Sequence, residues 1–233
     1  MSRMNSFAAP SAALPESGAL GPSIAARAWA RGWAISRSTP APIERPGCFQ
    51  ILVGKPEQTT RYVFPRFDQD VLRQLLAAEA GPGTWLKICA PREQVTGLLS
   101  GDWTVHAPEF LMSVPLADGA DPVIAGYRTR IERRGALALV TIVADSGELA
   151  ASGQAALDGE FATFDQIVTA EAHRRKGLGR LVMSALSTAA RDAGARQGVL
   201  VATEAGAALY QAIGWFLVSP VTAASCSAAA PAA

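Results

Sequence analysis

The chain has 233 residues, enough for one large domain or two small ones, and 49% of them are apolar, so a sizeable core can be built. A formal charge of +1 argues against a general nucleic-acid binder and against an anionic-membrane binder. Three cysteines (Cys48, Cys89, Cys226) without a CxxC pair and only two histidines (His106, His173) fit neither a zinc site nor a disulfide framework. No metal is expected, and a reducing compartment is.

No apolar run approaches the roughly 20 residues needed to span a bilayer. Pro10, Pro15, Glu16 and Pro22 interrupt any signal-peptide core, so a cytoplasmic protein is expected. The Arg-, Ser- and Ala-rich start leaves an organelle transit peptide as the alternative. Residues 1–27 have little to bury and read as a disordered lead, and residues 222–233 repeat that composition and read as a flexible tail. No internal repeat is evident. Between the ends, an amino-terminal α/β region is expected over 28–118 and a second domain over 119–221.

In chain order, Trp29, Trp33 and Ile35 suggest a strand by alternation. Residues 49–53 and 61–64 are two more, each ended by Gly or Pro. Asp68 can cap a helix that carries Val71, Leu72, Leu75 and Leu76 on one face and stops before Gly81-Pro82-Gly83. Residues 85–89 read as a strand. Pro91 suits the first turn of a short helix with Val95, Leu98 and Leu99 inward. Residues 110–114 form a strand or the connection between regions, and Pro, Gly and Asp at 115–122 mark a loop. Trp29, Trp33, Trp85 and Trp103 concentrate aromatics in this half, as core or as the lining of a pocket.

The second region is plainer. Residues 135–143 and 148–157 make a hairpin around Asp145-Ser146-Gly147, and Asp158-Gly159 turns the chain into a third antiparallel strand at 161–169. A helix follows over 177–193, with Leu178, Leu181, Val182, Ala185, Leu186 and Ala189 on one stripe, and Gly194 ends it. A buried strand at 198–202, a short helix at 205–212 and a last strand at 215–218 complete a β-β-β-α-β-α-β order. That order is an α/β (α+β) arrangement with helices packed on a mixed sheet.

The most informative stretch is His173-Arg174-Arg175-Lys176-Gly177-Leu178-Gly179-Arg180, where a strand enters a helix through a basic, glycine-containing turn. A helix N-terminus offers unpaired N–H groups and the positive end of its dipole to phosphate oxygens. Gly177 and Gly179 let the backbone approach a pyrophosphate without Cβ obstruction. Arg174, Arg175 and Lys176 add charge for a pyrophosphate or a ribose phosphate. The competing reading is a basic surface turn capping an ordinary helix. A dinucleotide-type loop is disfavoured, because the preceding strands read as antiparallel hairpins rather than a βαβ unit.

The Arg174-x-x-Gly177-x-Gly179 turn resembles the acetyl-CoA-binding signature of the GNAT (GCN5-related N-acetyltransferase) superfamily, and 208–215 (Ala-Leu-Tyr-Gln-Ala-Ile-Gly-Trp) looks like that family's second signature. The resemblance covers about 135–221. A preceding region of this size is similar to GNAT proteins with an extra or degenerate amino-terminal half, such as the glycine N-acyltransferase-like branch. The resemblance implies a GNAT-like mixed, mostly antiparallel sheet flanked by helices. It also implies an N-acetyltransferase with acetyl-CoA as cosubstrate and a small-molecule primary amine or amino acid as acceptor, by direct attack in a ternary complex.

Its site residues carry over as follows. The strand ending at Thr169 should splay from the one starting at Gly198, leaving the backbone around Ile167, Val168 and Thr169 free for pantetheine and for the thioester carbonyl. The turn residues Arg174, Arg175, Lys176, Gly177, Leu178, Gly179 and Arg180 would take the phosphates. Tyr210 is the candidate general acid for the departing thiolate, and its competing reading is a core tyrosine. Asp165 is the candidate base, with Glu160 and Glu204 in reserve, or water; its competing reading is a structural acceptor. Thr203 stands where an Asn that touches the cofactor is common. His173 is expected as an exposed loop histidine. Acceptor specificity is expected from the amino-terminal region and the hairpin at Asp158. The alternative function is a non-catalytic acyl-CoA sensor. Neither a nucleic-acid nor a membrane partner is expected, and the chain is read as a monomer or homodimer.

Overall fold

The computed structural model describes residues 20–117, 119 and 122–227. The lead up to residue 19, part of the loop at 115–122 and the tail at 228–233 lie outside the described residues.

The first element is a helix, α1 (Pro22–Ser36), not the expected strand. Trp29 and Trp33 are spaced i, i+4, which satisfies both a strand's alternation and a helix face. Pro22 in the first turn and the alanines around the tryptophans decide for the helix. Residues 22–27, expected in the lead, are its first turns. Next come β1 (Ile43–Arg45), β2 (Cys48–Lys55), β3 (Gln58–Phe64), α2 (Gln69–Ala78), β4 (Thr84–Ile88), a single turn α3 (Arg92–Val95), β5 (Trp103–Val105) and β6 (Glu109–Pro115). Then follow β7 (Tyr127–Arg134), β8 (Leu137–Ala144), β9 (Leu149–Asp158), β10 (Phe161–Thr169), α4 (Leu178–Asp192), β11 (Gln197–Thr203), α5 (Glu204–Ala212) and β12 (Phe216–Cys226). The strand β7 carries no apolar alternation because it is a sheet edge with nearly every residue exposed, so its sequence gives no sign of it.

One mixed, mostly antiparallel sheet runs β1-β2-β3-β4-β12-β6-β11-β10-β9-β8-β7, with β5 added beside β12. Two parallel pairs sit in matching places: β3 and β4 joined through α2, and β10 and β11 joined through α4. The open flank of β4 is covered by β12 from the far end of the chain, and that of β11 by β6 from the near end. The lending strands, β6 and β12, pair with each other in the middle. A structural duplication with reciprocal strand exchange is therefore present where no sequence repeat is legible. This exchange also corrects the expected tail. Residues 222–226 are the end of β12, and Val221, Thr222, Ala223 and Ala224 are buried. Their small side chains suit a central strand covered on both faces, which composition alone reads as a loose end.

Helix α4 lays Leu178, Leu181, Val182, Ala185 and Leu186 on the sheet over Val140, Ile142 and Ala155. At roughly 1.5–3 kcal/mol per fully buried large aliphatic side chain, this stripe is the main stabiliser of the carboxy-terminal half. Helix α1 lies against β9, β10 and β11. A Cβ on Gly32 would fall 1.9 Å from Thr163 Oγ1, so only glycine permits this approach. Thr163 Oγ1 then donates to Ala28 O at 3.2 Å. The helix from the first half thereby delivers its carboxy-terminal end to β10 of the second.

Candidate active site

The two central strands of the carboxy-terminal half part company. Strands β10 and β11 pair only from Phe161↔Gln197 to Thr163↔Val199, although β10 continues to Thr169 and β11 to Thr203. A bulge between Asp165 and Val168, with Gln166 at φ +56°, turns β10 outward where pairing stops. Such a φ is uncommon for a residue with a side chain, and it is placed where the sheet opens. On its other flank β10 keeps its partner β9, and Ala170 N–H donates to Ala150 O at 2.9 Å. Alternation of backbone groups then turns those of Thr169 and Ile167 to the open side. Val168 differs from its expected role: it pairs with Ser152 of β9, and its side chain is exposed on another face.

The turn between β10 and α4 stands at the mouth of this gap. Gly177 is the N-cap residue of α4, in the left-handed region at φ +78° and without a side-chain cap, and Arg175 is also left-handed at φ +62°. Among the described residues no protein acceptor engages the amides of residues 175–180, the last three of which cannot be satisfied within the helix. Arg174, Arg175 and Lys176 are exposed around them. Gly179 has a second reason to be glycine: its missing Cβ would lie 3.1 Å from Leu209 Cδ2, so it also seats α5 against α4. The Arg180 side chain turns away to donate to Ala212 O at 3.3 Å, leaving only its amide on the turn.

His173 is buried rather than exposed. Its Nδ1 lies 2.9 Å from the Tyr127 hydroxyl and its ring meets Tyr127 edge-on, so it anchors the turn to β7. Thr203 Oγ1 accepts from Gly206 N at 3.3 Å and caps α5. Tyr210, one-tenth exposed on α5, packs on Trp215 with centroids 6.0 Å apart. Burial pushes its phenol up to about 12, and the negative charge of Asp165 adds to the rise. The phenol is therefore a proton donor throughout the neutral range.

Asp165 is held. Ser36 Oγ donates to Oδ2 at 2.5 Å, Arg37 reaches both oxygens at 2.7 and 3.0 Å, and Gln166 N donates to Oδ1 at 2.9 Å. Burial alone would raise its pKa, but the bonds from Arg37 and Ser36 outweigh it and hold the carboxyl below the ordinary carboxylate range. A carboxylate so stabilised is a weak base. The reserves fare differently from expectation. Glu160 lies beyond the paired end of β10, and the Asp158 hairpin is there too, tied to Arg31, so neither borders the gap. Glu204 is exposed in the first turn of α5.

Behind the gap is a cavity of about 420 Å³ that Asp165 of β10 and Val201 of β11 border from the sheet side. Trp29, Trp33 and Trp85 line it, and Trp103 does not. The first two are buried core residues as well as cavity wall. Four of the charged residues here carry no sequence signal: Arg37, Arg61, Lys87 and Glu109. They come from α1, β3, β4 and β6, four separated segments that no local motif connects. Lys87 is buried and bonded to Glu109, and burial pushes its ammonium down against the opposing pull of Glu109. Among the described residues no group of three or more His, Cys, Asp or Glu side chains could hold a metal ion. Nor is any described helix long and apolar enough to cross a membrane.

The fold that carries this splayed strand pair and basic helix start is shared with solved structures. A GCN5-related N-acetyltransferase from Kribbella flavida matches with a TM-score of 0.62 at 19% identity, over 88% of this chain and 96% of that one. An acetyltransferase of the GNAT family from Novosphingobium aromaticivorans matches at 0.54 and 14% identity, over 88% and 99%. A tandem GNAT protein from the clavulanic acid biosynthesis pathway matches at 0.50 and 15% identity, over 78% and 79%. These likenesses establish the fold. No curated protein matches the chain. The model of the acetyltransferase (GNAT) family matches residues 102–215, and this part of the chain is a GNAT acetyltransferase domain.

Proposed function

We propose that the protein transfers an acetyl group from acetyl-CoA to a primary amine of a small molecule or amino acid, by direct attack in a ternary complex. The observation that carries this is the coincidence of the β10/β11 gap with the uncapped amides of α4, two features that a plain helix cap would not bring together. The fit to coenzyme A rests on these groups: amides of residues 176–180 and the cations Arg174, Arg175 and Lys176 for the phosphates, and the free backbone of Ile167 and Thr169 for the pantetheine arm. Acetyl-CoA supplies the activated acyl carbon and a thiolate leaving group.

The chain's own groups do the rest. Backbone N–H at the gap stabilises the negative charge that develops on the thioester oxygen. Asp165, ionised and weakly basic, orients the amine from the cavity side. The proton that the amine sheds as its nitrogen bonds to the acyl carbon passes to water. Tyr210 gives its proton to the sulfur as the C–S bond breaks. Among the described residues no Cys or Ser stands in a nucleophile setting, in keeping with direct transfer.

One observation favours a second reading, a non-catalytic acyl-CoA sensor: the locked Asp165 is a poor base. Release of free thiol from acetyl-CoA, followed across a panel of amines and amino acids, separates the two. Thiol release that depends on an amine is expected. Tight acetyl-CoA binding with no amine-dependent release favours the sensor. The protein is read as acting in the cytoplasm, as a monomer or homodimer.

A further inference from the structure

Most charges at the 420 Å³ cavity are already matched: Arg37 with Asp165, and Lys87 with Glu109. Lys55 and Glu57 are exposed at its rim. Arg61 is the exception. It is 8% exposed, and no carboxylate of the described residues lies within ion-pair distance of it. Its side chain is met there by the neutral Gln58 amide, whose oxygen accepts from Arg61 Nε at 2.8 Å and from Nη2 at 3.1 Å. The guanidinium instead stacks on Trp33, 3.9 Å from the ring centre, with Trp85 and Trp29 at 5.9 and 6.0 Å.

Three indole faces recover part of the cost of burying a cation, but a guanidinium has five N–H donors, and beyond the two that Gln58 takes none has an acceptor among the described residues. Burial lowers its pKa to about 10, so it remains charged at neutral pH. A lysine would not stack this way, and an apolar residue would fill the aromatic cage without a desolvation penalty. What the guanidinium adds is a planar fork aimed into a cavity that borders the acyl-transfer gap. A fork of that shape binds carboxylates through two parallel hydrogen bonds.

We infer that the acceptor amine carries a carboxylate and that Arg61, braced on Trp33, binds it while the amino group faces Asp165 and the β10/β11 gap. This rests on the acyl-transfer reading and names the substrate class of the same site. At about 420 Å³ the cavity has room for a small amino acid.

The test compares matched acceptors: α- and ω-amino acids, their primary amides and their decarboxylated amines, in the thiol-release assay with saturating acetyl-CoA. At least one acid is expected to exceed its amide by about tenfold or more in kcat/KM, expressed in KM. In Arg61→Met the acid and its amide should come within about twofold of each other, with acetyl-CoA affinity retained. Arg61→Lys, which keeps the charge without the fork, should show an intermediate preference, and it carries the test if the methionine variant does not fold. Amides or decarboxylated amines used as well as acids by the wild type, or an acid preference that survives in both variants, overturns the inference while acyl transfer stands. Acetyl-CoA binding without thiol release for any amine overturns the acyl-transfer reading and this inference with it.

Discussion

The two halves of the sheet share a path, strand–helix–parallel strand, and differ at the place where a coenzyme would sit. In the first half β3 and β4 pair along their full shared length, Thr60↔Thr84 to Phe64↔Ile88. The helix that joins them starts at Asp68, whose carboxylate accepts from Asp70 N and Val71 N, both at 3.1 Å. Its first amides are occupied by an anion that belongs to the protein. In the second half pairing stops at Thr163, the strand bulges, and the helix starts on Gly177 with no cap. The same topology is thus either closed by one aspartate and a full ladder or left open by one glycine and a bulge. A binding site here is backbone hydrogen-bonding capacity that the fold itself has not used.

Exchanging the two devices is the sharpest way to test that comparison. Gly177→Asp places a carboxylate at the start of α4, beside the expected phosphate. Acetyl-CoA affinity should fall by about 100-fold or more by calorimetry, while the circular dichroism spectrum keeps its shape. Undiminished affinity would mean that the turn does not hold the coenzyme. Tyr210→Phe should lower kcat by about tenfold to 100-fold without weakening acetyl-CoA binding. Because the phenol ionises only near 12, the ratio of the two kcat values should stay constant from about pH 7 to about pH 10. A ratio that drifts across that range would remove Tyr210 as the proton donor.

Smaller effects probe the brace between the halves. The folded-state pKa of Asp165 lies below its ordinary value, so its contribution to stability is complete above about pH 4 and is lost as pH falls through the lowered value. Asp165→Asn should cost about 1–3 kcal/mol in urea unfolding at neutral pH, and the gap from wild type should close toward about pH 2. A gap that persists in acid would show that the loss is one of packing. Asp68→Ala, which uncaps α2, should cost only about 1 kcal/mol in a thermal melt and create no second acetyl-CoA site, because β3 and β4 remain paired.

What the sequence discloses follows the same division. In the second half, apolar periodicity and turn residues place β8–β11 and both helices within a residue or two, with the Arg174–Arg180 turn running into α4 and Tyr210 on α5. In the first half the Asp68 cap and the α2 stripe are legible for the same local reasons. Trp29 and Trp33 mislead because a spacing of four fits two periods. The edge strand β7 and the alanine-rich end of β12 stay hidden, since burial of those segments, or its lack, is decided by neighbours far along the chain. The bulge at Gln166 leaves no compositional trace. Nor does the charged cavity, whose Arg37, Arg61, Lys87 and Glu109 meet only after the halves exchange strands.

A crystal structure of the protein with acetyl-CoA tests the central claim most directly. The diphosphate is expected against the amides of residues 176–180, with the pantetheine arm lying between β10 and β11. Coenzyme bound at another surface, with the α4 turn and the gap both left to solvent, would contradict it.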